Sequence, residues 1–117
     1  MKKKTTNELP ESVVIMGIEY TVLLMADDSM NILANKEGHD PAFFRGLIDF
    51  KECYIYINNT LSPAMRIRTL AHEMIHGYEE ALSLDFDEGT TQRVTTFFFD
   101  MLRSNDFLIK EFEKGGA

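Results

Sequence analysis

The chain of 117 residues has one cysteine, no tryptophan and three prolines. Cys53 alone closes no internal disulfide, so any core it forms must hold by packing. Cations are also few. Twelve Lys and Arg stand against nineteen Asp and Glu, a net charge of −7 that repels phosphate backbones and anionic lipid and argues against a nucleic-acid or membrane partner. No apolar run approaches the ~18 residues of a membrane span. Lys2, Lys3 and Lys4 are followed by Thr5, Asn7, Glu8 and Pro10, where a secretory signal needs a long apolar stretch, and the expectation is a cytosolic protein.

With 44% apolar and 26% charged residues, the composition is that of a folded chain, and its length predicts one compact domain. Residues 1–11 are polar and basic without apolar periodicity and read as a disordered tail, leaving a single domain over 12–114. From Ser12 to Met25 the chain is β-branched and apolar, and Ile18, Tyr20, Val22 and Leu24 alternate with Glu19 and Thr21. That predicts a hairpin of strands 12–16 and 18–25 about Gly17. Residues 26–45 offer only a short helix around Ser29 to Asn35. Two further short runs, Leu47 to Phe50 and Cys53 to Asn58, predict a second pair of strands.

Ser62 before Pro63 is a helix start: the serine accepts an orphan N–H, and proline at the first position has none to lose. The helix is expected to run to about Leu82, with Ile67, Ala71, Met74, Ile75, Tyr78 and Leu82 on its apolar stripe and Thr69, His72, Glu73, His76 and Glu80 on a polar face. A second helix over about Glu88 to Ser104 would bury Val94, Phe97, Phe98, Met101 and Leu102, and a short one could follow over 105–114. Strands first and helices after predict an α+β fold with N-terminal antiparallel strands, an active-site helix and a second packed helix.

The chemistry concentrates in His72-Glu73-Met74-Ile75-His76. Imidazoles at i and i+4 stack on one face of a helix and can grip a tetrahedral Zn²⁺. Glu73, one residue after the first ligand, projects beside the metal, where its carboxylate can take a proton from an activated water. A catalytic zinc needs a third protein ligand and an open fourth position. Downstream of His76 the choices are Glu79, Glu80, Asp85, Asp87, Glu88, Gln92 and Asp100. Glu79 and Glu80 are too near His76 on the same helix to complete a tetrahedron, Asp100 falls on the far side of the second helix, and glutamine is an unusual zinc ligand. Glu88, twelve residues after His76, is the remaining candidate. Its alternative role is in a capping box spanning Asp85 to Glu88, satisfying a backbone N–H.

Other conspicuous residues have plainer readings. His39 between Gly38 and Asp40 reads as a surface-loop histidine, Cys53 as a small apolar filler, and the methionines and Phe97-Phe98-Phe99 as core, with Phe99 off the main stripe. Tyr54, Tyr56 and Tyr78 could each donate a hydrogen bond to an oxyanion.

From Ile15-Met16-Gly17-Ile18-Glu19-Tyr20 through Tyr54-Ile55-Tyr56-Ile57, Thr69 to Gly77 and Met101 to Asn105, the chain resembles the small zincin-like metallopeptidase proteins of phages and prophages, distant relatives of the ImmA/IrrE-type peptidases. The resemblance implies a minimal zincin-like fold, a peptide or protein substrate and hydrolysis by a zinc-activated water. Asp87-Glu88-Gly89-Thr90-Thr91-Gln92 is similar to the acidic element that supplies the third ligand in gluzincin peptidases, although relatives often carry a glutamate where this chain has Gln92. An extended substrate could add beside Cys53 to Asn58 if that strand is an edge. The competing class is a protein-binding module that keeps the fold without cleaving, since a chain this short leaves little wall for a deep cleft.

Overall fold

The computed structural model of the chain describes residues 9–37 and 45–115, so the reading of His39 lies outside the described residues. The described chain falls into two compact units, one up to Asp85 and one from Phe86.

The first unit starts on the hairpin read from the sequence. Strands β1 (Ser12–Ile15) and β2 (Ile18–Met25) pair antiparallel. Met16 and Gly17 between them both take positive φ, 48° and 85°, the two-residue turn whose twist matches flanking strands. Leu9 packs against the core, and the Glu11 carbonyl accepts from Val22 N–H at 2.9 Å, so order begins ahead of β1. Helix α1 (Asp27–Glu37) is longer than the short helix expected, and it opens with Asp27 and Asp28 in its first turn. Asp27 is anchored by Asn58, whose side-chain amide donates to its carboxylate at 2.8 Å.

β3 (Gly46–Asp49) and β4 (Tyr54–Asn58) form the second antiparallel pair. Their turn is held by Asp49, whose Oδ1 accepts from the N–H groups of Lys51 and Glu52 at 3.0 and 2.9 Å. The sheet runs β1-β2-β4-β3, and β2 pairs with β4 in parallel. Two expectations are corrected here. The sheet is mixed rather than antiparallel, because α1 and β3 intervene between β2 and β4 and return the chain in the same direction. β4 is also no edge, being bonded on one side to β2 and on the other to β3, so the free edges are β1 and β3 among the described residues. The coarse class, α+β, holds.

Helix α2 (Pro63–Leu82) packs on β3, β4 and β1. The core between consists of Ile15, Tyr20, Val22, Ile48, Ile55, Ile57 and Leu70, with Met74 and Tyr78 at its margin. Each fully buried isoleucine contributes roughly 1.5–3 kcal/mol. The apolar stripe read from the wheel is displaced. The buried line of α2 is Thr69, Leu70, Glu73 and Gly77, whereas Leu82 is exposed. The cause is close approach: a Cβ on Gly77 would lie 2.6 Å from Ile15 Cδ1, so the helix meets the sheet along its smallest residue.

The second unit holds α3 (Glu88–Ser104) and α4 (Asp106–Glu113), which contact each other. Its buried residues are Thr91 and Thr95; of the stripe expected of this helix, Phe97, Phe98 and Met101 are exposed and Val94 and Leu102 half-buried. Threonine burial costs little here because each hydroxyl donates to a carbonyl one turn back, Thr91 to Asp87 at 3.3 Å and Thr95 to Thr91 at 2.8 Å. No helix among the described residues is long and apolar enough to cross a membrane.

Candidate metal centre

The histidines stand on α2, the longer helix of the first unit. Ser62 Oγ accepts from Met65 N–H at 3.3 Å and Pro63 occupies the first turn, as the sequence predicts. Arg66 braces the entry by donating to the carbonyls of Leu61 and Asn59 at 3.0 and 2.7 Å. At the other end Ser83 turns left-handed at φ 56°, and its N–H closes onto the last turn. A helix fixed at both ends leaves the residues between it little freedom.

Within it, His72 and His76 stack edge-to-face with ring centroids 4.8 Å apart. Both are half-buried. Glu73, read from the sequence as part of a polar face, is buried at 8% exposure and looks toward the start of β3: a Cβ on Gly46 would lie 3.3 Å from its Cγ. Thr69 flanks the same spot, so α2 lays a carboxylate against a strand that has no side chain there.

Glu79 is also buried, and its Oε2 lies 3.2 Å from His76 Nδ1. Elimination as a ligand had left this residue without a role. The three-residue spacing from His76, which puts both on one helix face, was the available signal.

Glu88 opens α3 and is exposed. The N-cap is Asp87, whose carboxylate accepts from Thr90 N–H at 2.7 Å; that backbone hydrogen bond, aided by Thr90's side chain, holds the Asp87 carboxyl below its usual range. A capping box needs its glutamate at the third helical position. Glu88 is at the first, so it does not stand where the capping-box alternative needs it.

His72, His76 and Glu88 each offer one ligand atom, and these atoms lie within 4.8 Å of one another. Tetrahedral zinc with bonds of ~2.0–2.1 Å separates its ligand atoms by ~3.4 Å. Two imidazoles and a carboxylate are a donor set that suits zinc and other divalent transition metals alike. Asp85, Asp87 and Asp100 are not in this group. The centre is therefore a possible metal-binding triad of two half-buried histidines and one exposed glutamate.

Comparisons with protein-family models, curated proteins and solved structures find no match.

Proposed function

We propose that the chain is a zinc-dependent metallopeptidase-like protein of minimal zincin-like fold, akin to those of phages and prophages, which hydrolyses a peptide bond. The observation that carries this reading is the gathering of ligand atoms from His72, His76 and Glu88 while Glu73 lies buried on the same helix as the two histidines. In it, His72, His76 and Glu88 hold the ion and Glu73 is the general base. Two neutral imidazoles and one carboxylate would leave Zn²⁺ a site charge near +1, enough to acidify a water toward a pKa of ~7 and polarise a carbonyl.

The chain's own part is proton handling and orientation. Glu73 takes a proton from the attacking water and passes it to the departing amine. Its burial against Gly46 limits the rotamers it can sample. The substrate lies extended beside β3, the edge nearest Glu73 among the described residues, instead of beside β4. Glu73→Gln tests the assignment: peptide hydrolysis should fall ~10²–10⁴-fold with metal content unchanged. An equally active variant refutes it.

A second reading, a protein-binding module that does not cleave, draws on the exposed Phe97, Phe98, Met101, Phe107 and Phe112 of the second unit. Partner binding and biological effect that survive Glu73→Gln intact would favour it.

A further inference from the structure

We infer that Glu79 is a positioning residue for His76: it fixes the imidazole as the Nδ1–H tautomer and so reserves Nε2 as the nitrogen that meets a metal ion. This rests on the metal-centre reading for its purpose, though not for its geometry. His76 Nδ1 and Glu79 Oε2 are 3.2 Å apart, one helical turn from each other on α2. A carboxylate accepts and never donates when ionised, so the proton between the two belongs on Nδ1. An imidazole that is neutral and protonated there has its lone pair on Nε2, at the opposite side of the ring.

Burial gives the contact more weight than a surface pair. Glu79 has a side chain 11% exposed and His76 26% exposed, and a hydrogen bond to an ionised group is stronger where water competes less. The next residue shows the contrast, since Glu80 is exposed on the same helix. α2 is capped at both ends, with Leu84 N–H also bonded to the Glu79 carbonyl at 2.8 Å, so the backbone carrying Glu79 is held where the helix ends. Metal-ligating histidines commonly donate their second ring N–H to a carboxylate, which sets tautomer and ring orientation. Glu79 is built for that role toward His76, and its helix supplies both ligand and orienter.

The test uses the full chain in two arms. In metal-free protein at a pH where imidazole is neutral, the nitrogen-15 shifts of His76 should report the Nδ1–H tautomer. In Glu79→Ala the His76 signals should move to a tautomer mixture, and in Glu79→Gln, which retains a carbonyl acceptor, they should move less. Zinc affinity should fall ~10–100-fold in Glu79→Ala, less in Glu79→Gln and not at all in Glu80→Gln. An Nε2–H tautomer in the unmodified chain overturns the inference without the need for a folded variant, and so does a tautomer unchanged by Glu79→Ala. A chain with the Nδ1–H tautomer but no zinc affinity would overturn the metal centre and leave the positioning by Glu79 standing.

Discussion

Gly46 on β3 and Glu73 on α2 share a space that holds no extra methyl group: a Cβ on Gly46 would sit 3.3 Å from Glu73 Cγ, 3.2 Å from the Tyr56 carbonyl oxygen and 2.8 Å from Thr69 Cγ2. Strand and helix therefore meet at the residue that the proposed reaction uses as base.

Gly46→Ala follows directly. Removing a glycine from the unfolded ensemble stabilises by about 0.4–1 kcal/mol, whereas overpacking a buried contact costs about 1–3 kcal/mol. Thr69 is short, branched and buried, so it yields little, and the cost should win. Denaturant unfolding should show a net loss of about 1–2 kcal/mol. A variant as stable as the parent would mean that strand and helix separate more easily than this packing implies.

Gly77 is the second such contact, and here the neighbouring atom can be removed. Alanine gains about 1 kcal/mol of helix propensity but places its methyl 2.6 Å from Ile15 Cδ1, in a core where Ile15 is 1% exposed. Gly77→Ala alone should destabilise. In an Ile15→Val background, which lacks that Cδ1, the same change should cost less, with Ile48 Cδ1 at 3.2 Å and the Cγ2 of residue 15 at 3.3 Å still close. A double-mutant cycle measures the coupling; strict additivity of the two changes would rule the contact out.

Tyr20 gives a pH dependence. Burial pushes its hydroxyl above the ordinary 10.0, with Cys53, Glu80 and Asp49 adding in the same direction. For an acid whose folded value is raised, the neutral form is what the fold accommodates. Stability is fully present below the unfolded pKa of about 10 and is lost as pH rises through the higher folded value. Urea midpoints should decline through that alkaline window, and Tyr20→Phe should flatten the decline. Identical slopes in parent and variant would contradict this.

The elements were legible in the sequence where one or two residues decide a boundary: Ser62 with Pro63 begins α2, Gly17 turns the hairpin, and Lys51 and Glu52 fall between β3 and β4. Pairing was not, because the parallel match of β2 to β4 depends on where α1 sends the chain, and local periodicity carries no record of that. The buried sides of the helices were misread for a related reason. A wheel ranks positions by hydrophobicity, yet α2 approaches its sheet along Gly77 and Glu73, and α3 buries threonines whose hydroxyls bond to their own helix. His72 and His76 were legible because their spacing is itself helical geometry, whereas Glu88 on α3 was reached only by excluding the other acids; the His76–Glu79 contact follows from the same spacing read for a ligand's partner instead of for ligands.

Zinc content tests the central claim most directly. Chain purified without a histidine tag or chelator and analysed for metal should carry about one equivalent of zinc, and His72→Ala, His76→Ala and Glu88→Ala should each weaken retention while the fold, followed by circular dichroism, persists. Much less than one equivalent in the unmodified chain, or full retention in both histidine variants, would contradict the account.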